Sequence, residues 1–174
     1  TKDELGGSVF YKTKGQLGAK VPRVDMQRGR DTLLAVHRAI QARCALAAHD
    51  LSEGGLGAAV AEMAIGGKLG ARIDLAKAKV EGALRPEQIL FSESQSRFLL
   101  EVPPDRLADL QANLQQVPFA VIGEVTKDAT LVVQQGGKDL ARLAVADLEV
   151  AWKKPLDLDQ TLVGGASVGN GGAR

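Results

Sequence analysis

The stretch His49-Asp50-Leu51-Ser52-Glu53-Gly54-Gly55-Leu56 is where a strand is expected to give way to a helix. It follows a compact apolar run, residues 45–48, which is short enough to be a buried strand. After the two glycines, one helical face is predicted from three- and four-residue steps through Leu56, Val60, Met63 and Ala64. Gly66-Gly67 is expected to end this helix. The stretch therefore predicts a strand, a polar turn and a helix in succession.

Strands and helices continue to alternate on both sides of this unit. A helix is predicted from about Asp31 as N-cap, with its apolar face at Leu33, Val36, His37, Ile40 and Cys44. Further strands are expected at 71–75, 98–102, 120–125 and 130–133, and further helices at 86–90, 107–114 and 145–152. We predict an α+β fold with a mixed β-sheet, a late β-meander and helices packed on one face of the sheet.

The chain divides by composition into three parts. Residues 1–29 mix Gly, Lys and Pro around Val9-Phe10-Tyr11, which predicts an N-terminal segment with one short strand. Residues 30–156 form the predicted α+β domain. Residues 157–174 are a Gly-rich tail with little to bury, which we expect to be flexible.

Composition excludes several classes of function. The 174 residues carry a formal net charge of +1 without a dense basic cluster, which argues against nucleic-acid binding. No apolar run approaches the roughly 20 residues that cross a bilayer, so no membrane partner is expected. The single cysteine, Cys44, has apolar neighbours and is interpreted as a buried, inert thiol. A cytoplasmic location fits these features best.

The turn between the first strand and its helix is a candidate ligand site. Free amides near Gly54 and Gly55 could hold an anion, with Asp50 and Ser52 beside them. Two carboxylates, Asp50 and Glu53, would repel a bare phosphate unless a metal or a basic group intervened. The alternative is a structural turn in which Asp50 or Ser52 caps the helix.

The run Ser92-Glu93-Ser94-Gln95-Ser96-Arg97 is a second candidate site. Arg97 could pair with Glu93 or face a phosphate, and Ser94 and Gln95 add hydrogen-bonding groups. The alternative is a loop that satisfies its own polar groups through nearby backbone. His37 is interpreted as a packed histidine at the core edge, and His49 has no nucleophile paired to it by a recognisable motif. No catalytic residue and no metal site are predicted.

Together these segments resemble a known family. The stretch 49–56 followed by Ala61-Glu62-Met63 is similar to a motif in C-terminal domains of the aminoimidazole ribonucleotide synthetase superfamily. Leu90 to Phe98 resembles, more narrowly, phosphoribosylformylglycinamidine synthase of the small, separate-subunit type. So do Leu5-Gly6-Gly7-Ser8, Ile122-Gly123-Glu124-Val125-Thr126 and Leu148-Glu149-Val150-Ala151-Trp152. The similarity runs over about residues 4–156 and points to the second, final copy of a duplicated domain.

The resemblance implies an ATP-dependent ligase of purine biosynthesis, which uses Mg²⁺ and converts formylglycinamide ribonucleotide to the formylglycinamidine. Ammonia would come from a separate glutaminase subunit, with a small bridging subunit as a further partner. The ATP- and metal-binding carboxylates and the catalytic histidine are expected on the other domains. Substrate contact is carried over to Glu93, Ser94, Gln95 and Arg97, although this copy is expected to face the pseudo-symmetric site.

This chain alone is expected to bind no cofactor and to be inactive. Two alternatives stay open at this stage. One is a non-catalytic module that completes a scaffold or an oligomer. The other is a domain of another superfamily member, such as aminoimidazole ribonucleotide synthetase or selenophosphate synthetase.

Overall fold

The computed structural model describes residues 1–114 and 117–156. Its helices are α1 (Val9–Thr13), α2 (Met26–Gln41), α3 (Gly55–Gly67), α4 (Pro86–Phe91), α5 (Leu107–Asn113) and α6 (Val145–Lys153). Its strands are β1 (Ala47–Asp50), β2 (Gly70–Asp74), β3 (Phe98–Glu101), β4 (Gly123–Thr126), β5 (Thr130–Gln135) and β6 (Lys138–Ala144). The predicted tail, residues 157–174, lies outside the described residues.

The strands form two sheets. β1 pairs with β3 in an antiparallel ribbon, and the other four strands lie in the order β4-β2-β5-β6. In the larger sheet β2 runs parallel to β5, whereas the other two pairs are antiparallel. The sheet is therefore mixed, and the α+β prediction is confirmed.

The main core lies between the larger sheet and the helices on one of its faces. It joins α3 and α4 to β2 and β5 through aliphatic side chains, among them Leu56, Val60, Ile73, Ile89, Leu131 and Val133. Leu148 of α6 packs against the same cluster. A smaller core joins α2 to α5 around Cys44, which is fully buried as predicted. Apolar burial of this kind is the main stabilising contribution to such a domain.

The predicted strand in residues 1–29 is wrong, because Val9-Phe10-Tyr11 lies in the short helix α1. The Ser8 side chain caps this helix by accepting a hydrogen bond from the Tyr11 amide at 3.3 Å. The Phe10 ring stacks on the Phe91 ring of α4, with centroids 4.7 Å apart. This long-range contact favours a helical turn over the strand that three β-prone residues suggest.

Helix α2 begins earlier than predicted and buries a different face. Asp25, not Asp31, is its N-cap, and the Asp25 carboxylate accepts from the Arg28 amide at 3.0 Å. The predicted boundary between residues 29 and 30 therefore falls inside this helix. The buried face consists mainly of small residues, namely Gly29, Thr32, Ala35, Val36 and Ala39, while Leu33, His37 and Ile40 are exposed. Close approach of the helix to its neighbours selects the small residues over the larger apolar ones.

The predicted late β-meander is also wrong. β4 and β5 follow one another in the chain, but β2 lies between them in the sheet. Only β5 and β6 form a hairpin, through Gly136 and Gly137. The insertion of β2 brings Ile73 opposite Val133 in the core, a pairing that local sequence does not encode. No helix within the described residues is long and apolar enough to span a membrane.

Candidate functional site

The two polar segments singled out in the sequence meet in one pocket of about 370 Å³. β1 ends where β3 begins, with Asp50 opposite Phe98 in the ribbon. This register sets the turn after β1 beside the loop before β3. The pocket is lined by Asp50, Leu51, Ser52 and Glu53 from the turn and by Glu93 and residues 95–98 from the loop, together with Pro22 and Leu33.

Two glycines shape the turn. Gly54 and Gly55 have φ values of +74° and +58°, which side chains with a Cβ rarely adopt. A Cβ at Gly55 would lie 2.4 Å from the Ser92 carbonyl oxygen and 2.8 Å from that of Leu90. Gly55 is therefore required for the end of α4 to pass directly over the start of α3.

The Glu93 carboxylate occupies the position for which an anion was predicted. Its Oε1 accepts a hydrogen bond from the Gly54 amide at 2.9 Å and another from the Val9 amide at 3.0 Å. The Gly55 amide is also satisfied, by the Ser52 carbonyl at 3.0 Å. An internal carboxylate thus supplies the negative charge that the N-terminus of α3 favours.

Arg97 points into the protein rather than toward the pocket opening. Its Nε donates to the Ser94 carbonyl at 2.8 Å and its Nη2 to the Ser92 carbonyl at 2.5 Å. Its Nη1 donates to Thr1 Oγ1 at 3.0 Å. Burial lowers the pKa of the guanidinium to about 10, opposed by the charges of Glu4 and Glu93.

Arg97 therefore locks the loop through backbone carbonyls. The predicted direct pairing of Arg97 with Glu93 is not among the ion pairs of the described residues.

Two serines of the loop, Ser92 and Ser94, are buried and bond to each other and to the N-terminal segment. Ser92 and Ser94 are 0% and 3% exposed, and their hydroxyl oxygens lie 3.0 Å apart. Ser92 donates to the Lys2 carbonyl at 2.7 Å, and Ser94 accepts from the Lys2 amide at 3.1 Å. Gln95, by contrast, is exposed and lines the pocket. The buried polar groups of the loop are satisfied within the protein, as in the structural alternative, but their partners include Thr1 and Lys2, at least 90 residues away, as well as the loop's own backbone.

The surface of the pocket is acidic. Asp50, Glu53 and Glu93 line it, whereas Arg97, its one lining cation, uses its donors internally. A hydrogen bond from the Ser52 hydroxyl is the main cause that lowers the pKa of Asp50. This balance favours a ligand with hydroxyl or amino donors over a bare phosphate.

The described residues do not form a binding site for a metal ion such as Mg²⁺. They contain no group of three or more His, Cys, Asp and Glu side chains placed to bind a metal ion. The Glu93 carboxylate is already held by two amides. The sequence also has no Gly-Lys-Ser/Thr phosphate loop. No chemical step is assigned to a metal in this chain.

Pro22 and Leu33 belong to the pocket but were not predicted there. Pro22 comes from the N-terminal segment, where no local pattern marks a ligand contact. Leu33 was placed on the buried face of α2, yet it is 57% exposed. Leu33 lies between the buried Thr32 and Val36 along α2 but not on their side of the helix. This offset is a weak sequence signal that Leu33 faces away from the core.

Comparison with known proteins identifies the family. Residues 1–136 match the family model described as AIR synthase related protein, C-terminal domain. The chain belongs to this family. Curated relatives include the phosphoribosylformylglycinamidine synthase subunit PurL of Thermococcus sibiricus, 41% identical over 128 residues, and that of Moorella thermoacetica, 39% identical over 160. These matches cover 74% and 90% of this chain but only 18% and 21% of the relatives.

Solved structures support the fold of this AIR synthase related domain. One is Thermotoga maritima PurL complexed with FGAR, at a TM-score of 0.70 and 23% identity, covering 78% of this chain and 23% of that one. Another is the hydrogenase maturation protein HypE, at a TM-score of 0.58 and 16% identity, covering 82% and 49%. Both likenesses show that this chain shares its α+β fold with these structures.

Proposed function

We propose that this chain is the final AIR synthase related domain of a phosphoribosylformylglycinamidine synthase. The complete enzyme would use ATP and glutamine-derived ammonia to convert formylglycinamide ribonucleotide to formylglycinamidine ribonucleotide, in purine biosynthesis. The similarity of 41% over 128 residues to a PurL subunit supports this assignment.

The observation that carries the proposal is the junction at Glu93. This carboxylate joins Val9, next to the Leu5–Ser8 motif, to Gly54 in the 49–56 motif, and it belongs itself to the 90–98 motif. Three separate segments of family resemblance thus meet in one contact. The acidic pocket lies beside this junction, and Gln95, Asp50 and Glu53 line it.

The pocket would contribute to recognition of the ribonucleotide. Ribose hydroxyls and an amide N–H are donors that carboxylate and amide oxygens accept well. ATP and Mg²⁺ would bind on the remaining domains of the synthase, since the described residues do not form a binding site for the metal ion. The glutaminase and small bridging subunits are proposed partners of the whole protein. A structure titled PurLQS from Thermotoga maritima is among those similar in fold.

The test is an assay of the intact protein that carries this chain. Formylglycinamide ribonucleotide, ATP, Mg²⁺ and an ammonium salt should give ADP and the formylglycinamidine. Gln95→Ala should raise the KM for the ribonucleotide about three- to tenfold, the loss of one hydrogen bond of about 1 kcal/mol or slightly more. Gln111→Ala, exposed on α5, is the matched control and should change nothing. Absence of turnover with this substrate would refute the proposal.

A non-catalytic role within the same synthase is the second candidate. It is favoured by the internal use of Glu93, Arg97 and both buried serines, which leaves few loop groups for a ligand. In that case the pocket would be a remnant of the duplicated site, and the domain would complete the scaffold. Turnover with an unchanged KM in the Gln95→Ala protein would select this candidate.

A further inference from the structure

His49 lies on β1 directly before the turn that lines the pocket, but its ring faces away from the pocket, toward α3. Nδ1 lies 2.6 Å from the Asp50 carbonyl oxygen, and Nε2 lies 3.0 Å from Oε2 of Glu62 on α3. The imidazole is only 30% exposed, and the Glu62 side chain is 42% exposed. The ring therefore bridges the end of β1 to the middle of α3.

Both ring nitrogens face acceptors. A carbonyl oxygen accepts only, and an ionised carboxylate accepts only, so each contact requires an N–H on the ring. A neutral imidazole carries one N–H and can satisfy only one of the two. Both contacts are made together when the ring is an imidazolium.

The charged groups around the ring favour this form. Asp50 Oδ1 on β1 lies 3.7 Å from Nδ1, and Glu62 faces Nε2 from α3. On β3, the residue opposite His49 is the apolar Leu99. The Asp50 backbone carbonyl is the largest cause that raises the pKa of His49, followed by Glu62 against the opposing effect of burial.

We propose that His49 is a positioning residue, held as an imidazolium by Glu62, which orients the Asp50 carbonyl and with it the Asp50–Glu53 wall of the pocket. The effect on the ligand rests on the proposed synthase function, while the protonation and its effect on the turn do not. Because the pKa of His49 is raised on folding, this stabilisation is complete below the ordinary histidine pKa of about 6.5. It is lost as the pH rises through the raised value.

The protonation is tested by NMR of the intact protein with ¹⁵N-labelled histidine and leucine. The His49 signals are assigned by their absence in His49→Gln. The midpoint of the His49 titration should lie above the ordinary histidine pKa of about 6.5, with imidazolium shifts at both ring nitrogens below it, and Glu62→Gln should move the midpoint to lower pH. The Leu51 amide, next to Asp50, should titrate with the same midpoint in the parent protein and not in His49→Gln. A His49 midpoint at or below the ordinary histidine pKa, or a Leu51 amide shift that does not follow the His49 titration, would overturn the proposal.

The consequence for the pocket is tested by kinetics on the same proteins. Glu62→Gln should raise the KM for formylglycinamide ribonucleotide about two- to fivefold at neutral pH, the range for losing a half-exposed ion pair, with kcat nearly unchanged. In the Glu62→Gln protein, the KM should begin to rise at a lower pH than in the parent protein. His37→Gln, on the exposed side of α2, is the matched control and should leave both unchanged.

The NMR titration and the kinetic assay distinguish failure of the His49 proposal from failure of the proposed synthase function. An enzyme without turnover refutes the proposed synthase, while the Leu51 titration still tests the role of His49. A shifted His49 titration with an unchanged KM would overturn the positioning role. A small loss in the thermal melt of Glu62→Gln is expected from the lost ion pair and excludes misfolding as the cause of a higher KM, whereas a large loss would contradict the proposal.

Discussion

The turn after β1 and the loop before β3 have similar composition and share one pocket, yet they use their polar groups differently. The loop turns its side chains inward, with Ser92 and Ser94 buried and Arg97 bonded to two carbonyls. The turn leaves Asp50, Ser52 and Glu53 at the pocket surface. The difference arises because the loop must cross the starts of α1 and α3, where backbone groups need partners. A run of polar residues can therefore stabilise the fold through buried hydrogen bonds instead of binding a ligand.

The largest effect is expected for Gly55→Ala. The new Cβ would meet the Ser92 carbonyl at 2.4 Å in a backbone conformation that is already unfavourable. We expect a loss of unfolding free energy of about 3 kcal/mol or more, measured by denaturant unfolding. Gly136→Ala is the matched control, because Gly136 has φ +59° with open space around its Cα. It should cost only about 1 kcal/mol, and equal losses for the two variants would show that the close approach is unimportant.

Arg97→Ala should destabilise the protein by about 2–4 kcal/mol, because it leaves the Ser92 and Ser94 carbonyls without their donor. The comparison variant is Arg142→Ala, whose 58% exposed side chain pairs with Asp139 at the surface. That solvent-screened pair should contribute much less. Chemical unfolding of both proteins gives the measurement. An unchanged midpoint for Arg97→Ala, with weaker substrate binding, would instead assign Arg97 to the ligand.

Glu93→Ala should cost about 2 kcal/mol, since the amides of Val9 and Gly54 both lose their acceptor. Glu93→Gln keeps an acceptor oxygen without the charge and should lose roughly half as much. Thermal melts of the two variants can be compared with that of Glu53→Gln, which alters the pocket surface and should leave stability nearly unchanged. A glutamine variant as unstable as the alanine variant would mean that charge, not acceptance, holds the junction.

The smallest effect concerns the pH response of the turn. Because the Ser52 hydroxyl holds the pKa of Asp50 below its ordinary value, Asp50 contributes stability above the unfolded-state pKa. This contribution is lost as the pH falls through the lowered value. Ser52→Ala should move the Asp50 titration to higher pH, as followed by carboxylate ¹³C NMR. An unchanged titration midpoint of Asp50 in Ser52→Ala would show that the Ser52 hydroxyl is not the cause of the lowered pKa.

The sequence predicted elements correctly where the spacing of its apolar residues matches the set of residues that is buried in the structure. Helix α3 was found from Leu56, Val60 and Ala64, which are all buried, and Gly67 lies at its end. The helix predicted over residues 145–152 is α6, which spans Val145–Lys153. The two polar segments that meet in the pocket could also be recognised in the sequence. One has six consecutive polar residues and the other has two adjacent glycines, and both interrupt the regular spacing of apolar residues.

Local pattern failed where a distant contact determines the outcome. Val9-Phe10-Tyr11 has strand-like residues, but the stacking of Phe10 on Phe91 and the cap at Ser8 accompany a helix. In α2 the close approach of neighbouring elements places the small residues Gly29 and Ala39 on the buried face, whereas the larger Leu33 and Ile40 are exposed. Of the partners considered for Glu93, Arg97 four residues away and nearby backbone, the structure selects backbone, and one of the two amides belongs to Gly54, 39 residues away.

The sequence by itself determined the alternation of strands and helices, the α+β class and the two segments that border the pocket, because periodicity and turn chemistry are local properties of the chain. Only the tertiary structure decided that β2 enters between β4 and β5, and that Glu93 rather than a ligand satisfies the Gly54 amide. Strand order and hydrogen-bond partners depend on which distant groups compete for the same space and the same donors. That competition is settled only when the core has packed.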